Sequence, residues 1–260
     1  MSGSNQLAVI YKDLDMSLDK QVAALPKEFN KQRFLQNCMT VLQEDKEGKI
    51  AKCDPKTVVR TLIKGAFLGL DFFNRECYAI PYGGSVNFQT DYKGEIKLCK
   101  KYSINPIRDI YAKVVREGDF FEESIVDGRQ SINFRPVPFS NKEILGAFAV
   151  VYFAEGSMMY DTMSVEEIES TRKNYSKMPD GQAWKNSTSE MYKKTVLRRL
   201  CKMVELDFES VEQRKVFDDS SDFDMDKKPE MEEATSPLIV EVEAVEVEVV
   251  EGDFDQRELS

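Results

Sequence analysis

Within residues 189–203, SEMYKKTVLRRLCKM, five cations fall in ten positions: Lys193, Lys194, Arg198, Arg199 and Lys202. No acid lies between Glu190 and Glu205. On a helical projection Val196, Leu200 and Met203 line one side, with Leu197 and Val204 beside them. Lys194, Arg198 and Lys202 fall opposite, with Lys193 and Arg199 at the margins. A helix of this kind packs by one face and offers the other to an anion. The segment DYKGEIKLCKK repeats the design: Lys93, Lys97, Lys100 and Lys101 form one stripe, and Tyr92, Ile96 and Cys99 a neighbouring apolar one. Arg108, Lys113 and Arg116 follow on a strand-like run.

The chemistry open to such groups is fixed positive charge against a polyanion, with counterion release on binding. Gln89, Tyr92 and Trp184 are placed to touch sugars or bases, and Tyr82 and Phe88 also flank the basic segments. The plainer alternative is a solvated helix face whose lysines pair with nearby acids, and aromatics that belong to the core.

Other chemistries are narrowed by what is missing. The chain has no histidine, which removes histidine-based triads, histidine general bases and the usual zinc ligand sets. It has no G-x-x-x-x-G-K-[ST] loop to cradle ATP phosphates. Five scattered cysteines, with no C-x-x-C pair, read as reduced core thiols. Carboxylate chemistry with Mg²⁺ stays open, but Asp91, Asp119, Asp127 and Asp161 sit where caps and turns are expected.

The chain is acidic overall, with a net charge of −10, yet the charge is unevenly placed. Residues 218–260 carry 16 acids and three bases, whereas residues 1–217 carry 30 acids and 33 bases, a net of +3. This divides the chain into a mildly basic body, 1–217, and an acidic tail, 218–260. Self-repelling charge predicts that the tail is largely disordered, serving solubility or partner docking. The longest fully apolar run, Ala147 to Ala154, is far too short to span a membrane. The opening residues lack the apolar core of a signal peptide, so a cytoplasmic protein is expected.

The elements that must position these residues are legible in outline. The first dozen residues are expected to fray. A helical stretch follows over 18–43, with a turn near Pro26. Asp54 and Pro55 open a helix carrying Val58, Leu62, Ala66 and Leu70 on one face. CYAIPY and SVNFQT, joined by Gly83-Gly84, read as a hairpin. A short helix over DYKGEIKLCKKY comes next, then five strand-like runs. A capping box, Ser164 to Glu167, starts another helix, and the basic helix over about 187–204 closes the body. Helices flanking mostly antiparallel strands give an α+β fold, a small antiparallel sheet packed against helices.

Four blocks, in this order, resemble the RecT family of phage-type single-strand annealing recombinases: DPKTVVRTLIKGAFLGL, CYAIPYGGSVNFQTDYKGEIKLCKKY, VVREGDFFE and WKNSTSEMYKKTVLRRLCKM. They span about Asp54 to Met203. Two positions depart from the family pattern: Asp91 stands where a glycine usually precedes YKG, and CKKYSIN where small residues and an arginine are usual.

The resemblance implies a protein that binds single-stranded DNA and an annealed duplex intermediate, and anneals strands without ATP. It also implies a homo-oligomer, ring or helical filament, and work beside a phage exonuclease or a host single-stranded-DNA-binding protein. No cofactor is required on this reading, and Mg²⁺ is left open. The alternatives are a Mg²⁺-dependent nuclease or phosphoryl-transfer enzyme, and an acidic scaffold protein.

Overall fold

Local signals fix most element boundaries. In the computed structural model, which describes residues 3–45, 47–176 and 178–220, helix α1 runs over Gly3–Lys20. It buries Ile10, Leu14 and Leu18, one helical turn apart. The expectation of a frayed start is therefore corrected: this four-residue apolar period lies among acids and is easily overlooked. Helix α2, Lys31–Gln43, is capped by the Asn30 side chain, which accepts from Arg33 N, and buries Phe34, Leu35, Cys38 and Leu42. Helix α3, Pro55–Leu68, opens with Asp54 accepting from Lys56 N and closes on left-handed Gly69.

Strands β1, Cys77–Tyr82, and β2, Ser85–Thr90, form an antiparallel hairpin. Its two-residue turn demands positive φ at both positions, and Gly83 and Gly84 supply it. Helix α4, Tyr92–Tyr102, follows, with Asp91 as its cap. A second hairpin joins β4, Phe120–Val126, to β5, Arg129–Arg135. A three-stranded antiparallel sheet has the order β3-β6-β7, from β3, Ile107–Arg116, β6, Ile144–Phe153, and β7, Met158–Ser164. The antiparallel strands thus form three small sheets rather than one.

Helix α5, Val165–Tyr175, begins with the full Ser164/Glu167 capping box. Two short helices lie outside the sequence expectations: α6, Gln182–Asn186, and α8, Val211–Asp219. Between them runs α7, Thr188–Met203. It packs against β3, β6 and β7 on one side and against α4, α5 and α6 on others. The β6 residues on the core side of the sheet include the small Ala147 and Ala149. Close approach of helix and sheet follows from that choice.

The main core joins α1, α2, α3, β1, β2, α4, α7 and α8 to the inner face of the three-stranded sheet. All five cysteines are free and buried, as small core residues. No described helix is long and apolar enough to cross a membrane. The described body continues through Ser220, which is 1% exposed, three residues past the composition change. The disorder expected of the tail falls on residues 221–260, outside the described residues.

Gly94, the glycine of the YKG triplet, lies against the backbone carbonyl of Glu76, where a Cβ would collide. Its role is to let α4 sit on the loop before β1. Gly94→Ala is expected to cost about 1–3 kcal/mol, the usual range for overpacking. Urea unfolding of the single variant measures it.

Candidate nucleic-acid interface

Helix α4 carries the first basic stripe. Asp91 accepts from Lys93 N at 3.2 Å, so the acid that departs from the family pattern is a helix cap. Lys93 and Lys101 are exposed, and Lys101 Nζ lies 4.8 Å from the Tyr102 ring centroid. Lys97 is engaged otherwise. Its Nζ donates to Glu76 Oε2 at 2.6 Å and to Gly69 O at 3.0 Å. Lys100 sits 3.7 Å from Asp109 Oδ1 with both groups open to water, a pair worth little. Tyr92 is 41% exposed, and Gln89 is half-buried on β2.

Helix α7 departs more sharply from expectation. Arg198 does not face solvent; it is 6% exposed. Its Nη1 donates to Glu95 Oε1, and its Nη2 donates to Phe217 O at 2.8 Å. The guanidinium lies 4.8 Å from the Phe217 ring centroid. Glu95 Oε1 also accepts from Thr90 Oγ1, and Thr90 N donates to Ser220 O. The helix buries Tyr192, Thr195, Val196, Leu197, Leu200 and Cys201 as well. Met203, expected on the apolar face, is 48% exposed. A single apolar stripe was the wrong description because sheet and helices enclose α7 from several directions.

The other basic residues of α7 divide. Arg199 Nη2 donates to Asp161 Oδ1 at 2.7 Å and to Thr162 O at 2.6 Å. The Asp161 hydrogen bond raises the Arg199 pKa further. Lys193 Nζ donates to Glu190 at 2.6 Å. Lys194 is half-buried. Lys202 is exposed at the helix end, yet its partly covered ammonium is desolvated, and this and then the Arg198 charge pull its pKa below the ordinary lysine value.

On β3, Arg108 and Lys113 are exposed, and the Arg108 guanidinium is 5.4 Å from the Tyr152 ring. Arg116 is tied down, donating to Lys142 O at 2.6 Å and to Ser189 Oγ at 3.3 Å. Trp184 is 3% exposed, with the Arg172 guanidinium 5.2 Å from its ring. The stacking role expected of Trp184 is corrected: its indole is a core group. Phe88 is buried, and Tyr82 is 69% exposed.

Of these candidate cations, the ones open to solvent lie on α4, β3 and the end of α7, elements that pack against one another. A further stripe went unread in the sequence. Lys56, Arg60 and Lys64 recur every four residues on α3 and rim a groove of about 460 Å³ with Asp13, Met16 and Phe67. The same period that flagged α4 was available, but it interleaves with the apolar face of α3. Among the described residues, no group of three or more cysteine, aspartate or glutamate side chains gathers to hold a metal.

The family model described as the RecT family matches residues 32–237. The chain belongs to the RecT family. It is 27% identical over 201 residues to Protein RecT of Escherichia coli K12, covering 74% of this chain and 72% of that one. It is also 27% identical over 154 residues to the uncharacterized protein YqaK of Bacillus subtilis 168, covering 58% and 52% of the two chains. Family membership makes this a DNA-binding protein of recombination and strand annealing.

Removing one partner of a buried ion pair strands the other. Arg198→Ala or Glu95→Gln should therefore cost about 3–5 kcal/mol. The double variant Glu95→Leu/Arg198→Met should be less destabilised than either single change. Denaturant melts of the three variants test this. Truncation before Asp218 should likewise destabilise the body more than truncation after Ser220, because it deletes the carbonyl that accepts from Thr90 N.

Proposed function

We propose that this RecT-family protein binds single-stranded DNA chiefly through its backbone and anneals complementary strands without ATP. It acts as a non-enzymatic homo-oligomer in the cytoplasm. The observation that carries this reading is the set of solvent-facing cations on packed neighbouring elements: Lys93 and Lys101 on α4, Arg108 and Lys113 on β3, and Lys202 on α7. Phosphate contacts hold a strand without reading its sequence and leave base edges free to pair. That suits an activity that must accept any sequence. A body of net charge +3 gains phosphate affinity when copies align along one strand, so assembly and binding support each other. The acidic residues after Ser220 are the segment offered to a protein partner, an exonuclease or a single-stranded-DNA-binding protein.

Annealing of two complementary dye-labelled oligonucleotides, with ATP absent and at two salt concentrations, tests the function. Salt-sensitive acceleration without cleavage is expected; strand cleavage in Mg²⁺ would favour the carboxylate enzyme instead.

The variant Lys93→Ala/Lys101→Ala/Lys113→Ala should keep its fold and bind single strands more weakly. Its plot of log affinity against log salt should flatten by about 0.7 for each phosphate that is no longer neutralised. Fluorescence anisotropy across a salt series reads both quantities. An unchanged slope would remove these lysines from the DNA track.

A further inference from the structure

The three-stranded sheet has two unlike faces. Register sets them apart: Ile110↔Val151, Ala112↔Ala149 and Met163↔Ala147 all point inward. Alternation along a strand then sends the intervening residues outward. On that outer face Tyr111 of β3 stands opposite Val150, which stands opposite Tyr160 of β7. Tyr152 is two residues along β6. The Tyr111 and Tyr152 ring centroids are 6.1 Å apart, with planes 34° from each other. Val150 is fully buried between the tyrosines, whereas the three rings themselves are half-buried.

The rest of the face is charged in a particular way. Arg108 reaches over Tyr152, and Lys113 stands two residues from Tyr111 on the same side of β3. The acids are Asp109, whose carboxylate accepts from Ile110 N and lies beside Lys100, and Glu123, whose charge, after burial, raises the Tyr160 pKa. The β4–β5 hairpin walls one end: Phe121 and Phe134 lie 5.2 and 5.0 Å from the Phe148 ring. Gln130 Oε1 accepts from Tyr160 N at 2.8 Å.

The Tyr111 and Tyr152 side chains are hydrogen-bonded to each other, and with Tyr160 they set three half-buried rings around one buried valine on this face. Aromatic rings beside cations on an open sheet are the recurrent platform for unpaired bases. We propose that Tyr111, Tyr152 and Tyr160 form a stacking platform for bases of single-stranded nucleic acid, with Arg108 and Lys113 taking the adjoining phosphates. The inference rests on the single-strand-binding reading above and gives that reading a base-contacting surface. Stacking is tolerant of sequence, so it holds bases without choosing among them. It also tilts the balance toward single strands, because paired bases are already stacked.

Two measurements test the platform. The first titrates a labelled oligothymidylate with wild type, Tyr111→Leu, Tyr152→Leu and the matching Phe variants. Each Leu variant should bind roughly 5- to 150-fold more weakly, at every salt concentration and with the salt slope unchanged. Each Phe variant should bind nearly as wild type does. Leu variants that bind like wild type overturn the platform while leaving the annealing reading in place. Wild type that does not bind oligothymidylate overturns both. Leu variants that fail to self-assemble but keep per-subunit binding would make this face a subunit contact, again overturning the proposal.

The second measurement avoids substitution. Photocrosslinking of wild type to 5-iodouracil-substituted oligothymidylate should label peptides containing Tyr111 or Tyr152. Labelling confined to Tyr82 or Tyr92 would place the bases elsewhere.

Discussion

The ion pair between Glu95 and Arg198 is the contact on which the rest of the body depends. Either charge buried without the other would be costly. Each therefore drags its own element into a fixed place: Glu95 brings α4, and Arg198 brings α7. The same two side chains recruit Thr90 at the end of β2 and the carbonyl of Phe217 at the end of α8. Ser220 closes the set by accepting from Thr90 N. Two pairs of elements distant in sequence, β2 with α4 and α7 with α8, are thus tied at one point. The network is incomplete: Glu95 Oε2 and Arg198 Nε are buried without hydrogen-bond partners among the described residues. Apolar side chains of similar volume would often pack at least as stably. What a charged pair adds is intolerance of misplacement, because a small shift of α4 against α7 strands two ions.

That constraint decides what the basic residues can do. Arg198 is used up by the scaffold, and Arg199 is largely used by Asp161 on β7. Lys97 secures α4 to Glu76 and to the end of α3. These three have the right charge and the right sequence spacing for a phosphate track, but they hold the helices that present the others. Lys93, Lys101, Arg108, Lys113 and Lys202 then stand on a frame whose relative positions are fixed. Preorganised cations bind a polyanion without first paying the entropy of being ordered.

Legibility in the sequence followed from how local each signal was. Caps and turns are written in adjacent residues, so Asp54-Pro55, Gly83-Gly84 and Ser164/Glu167 could be placed from sequence. Strand edges were nearly as clear, since Gly and Asp punctuate them. The direction of the α7 side chains was not legible. A helix enclosed by a sheet and three helices has no single apolar stripe, and nothing near Arg198 in sequence announces that Glu95, 103 residues earlier, is its partner. Trp184 misled for a related reason: its cover is Arg172 on α5, outside the turn-rich segment that made the indole look exposed. The tyrosine row was invisible because it exists only once β3, β6 and β7 are in register.

The sheet itself shows why binding and scaffolding can coexist in so small a body. Its inner face carries the small Ala147 and Ala149, so α7 comes close and the core excludes water on that side. Period-two alternation then delivers every second residue of the same strands to the other side with no change of fold. Asp161, inward, locks Arg199, while its neighbour Tyr160, outward, joins the aromatic row. Because each strand serves both faces, movement of the outer tyrosines is coupled to movement of the inner core. A base stacked on Tyr152 would therefore meet a surface as rigid as the Ala149–Val151 ladder beneath it. Annealing requires a strand held extended while its partner is sampled, and only a surface that does not yield with each added base can hold it so.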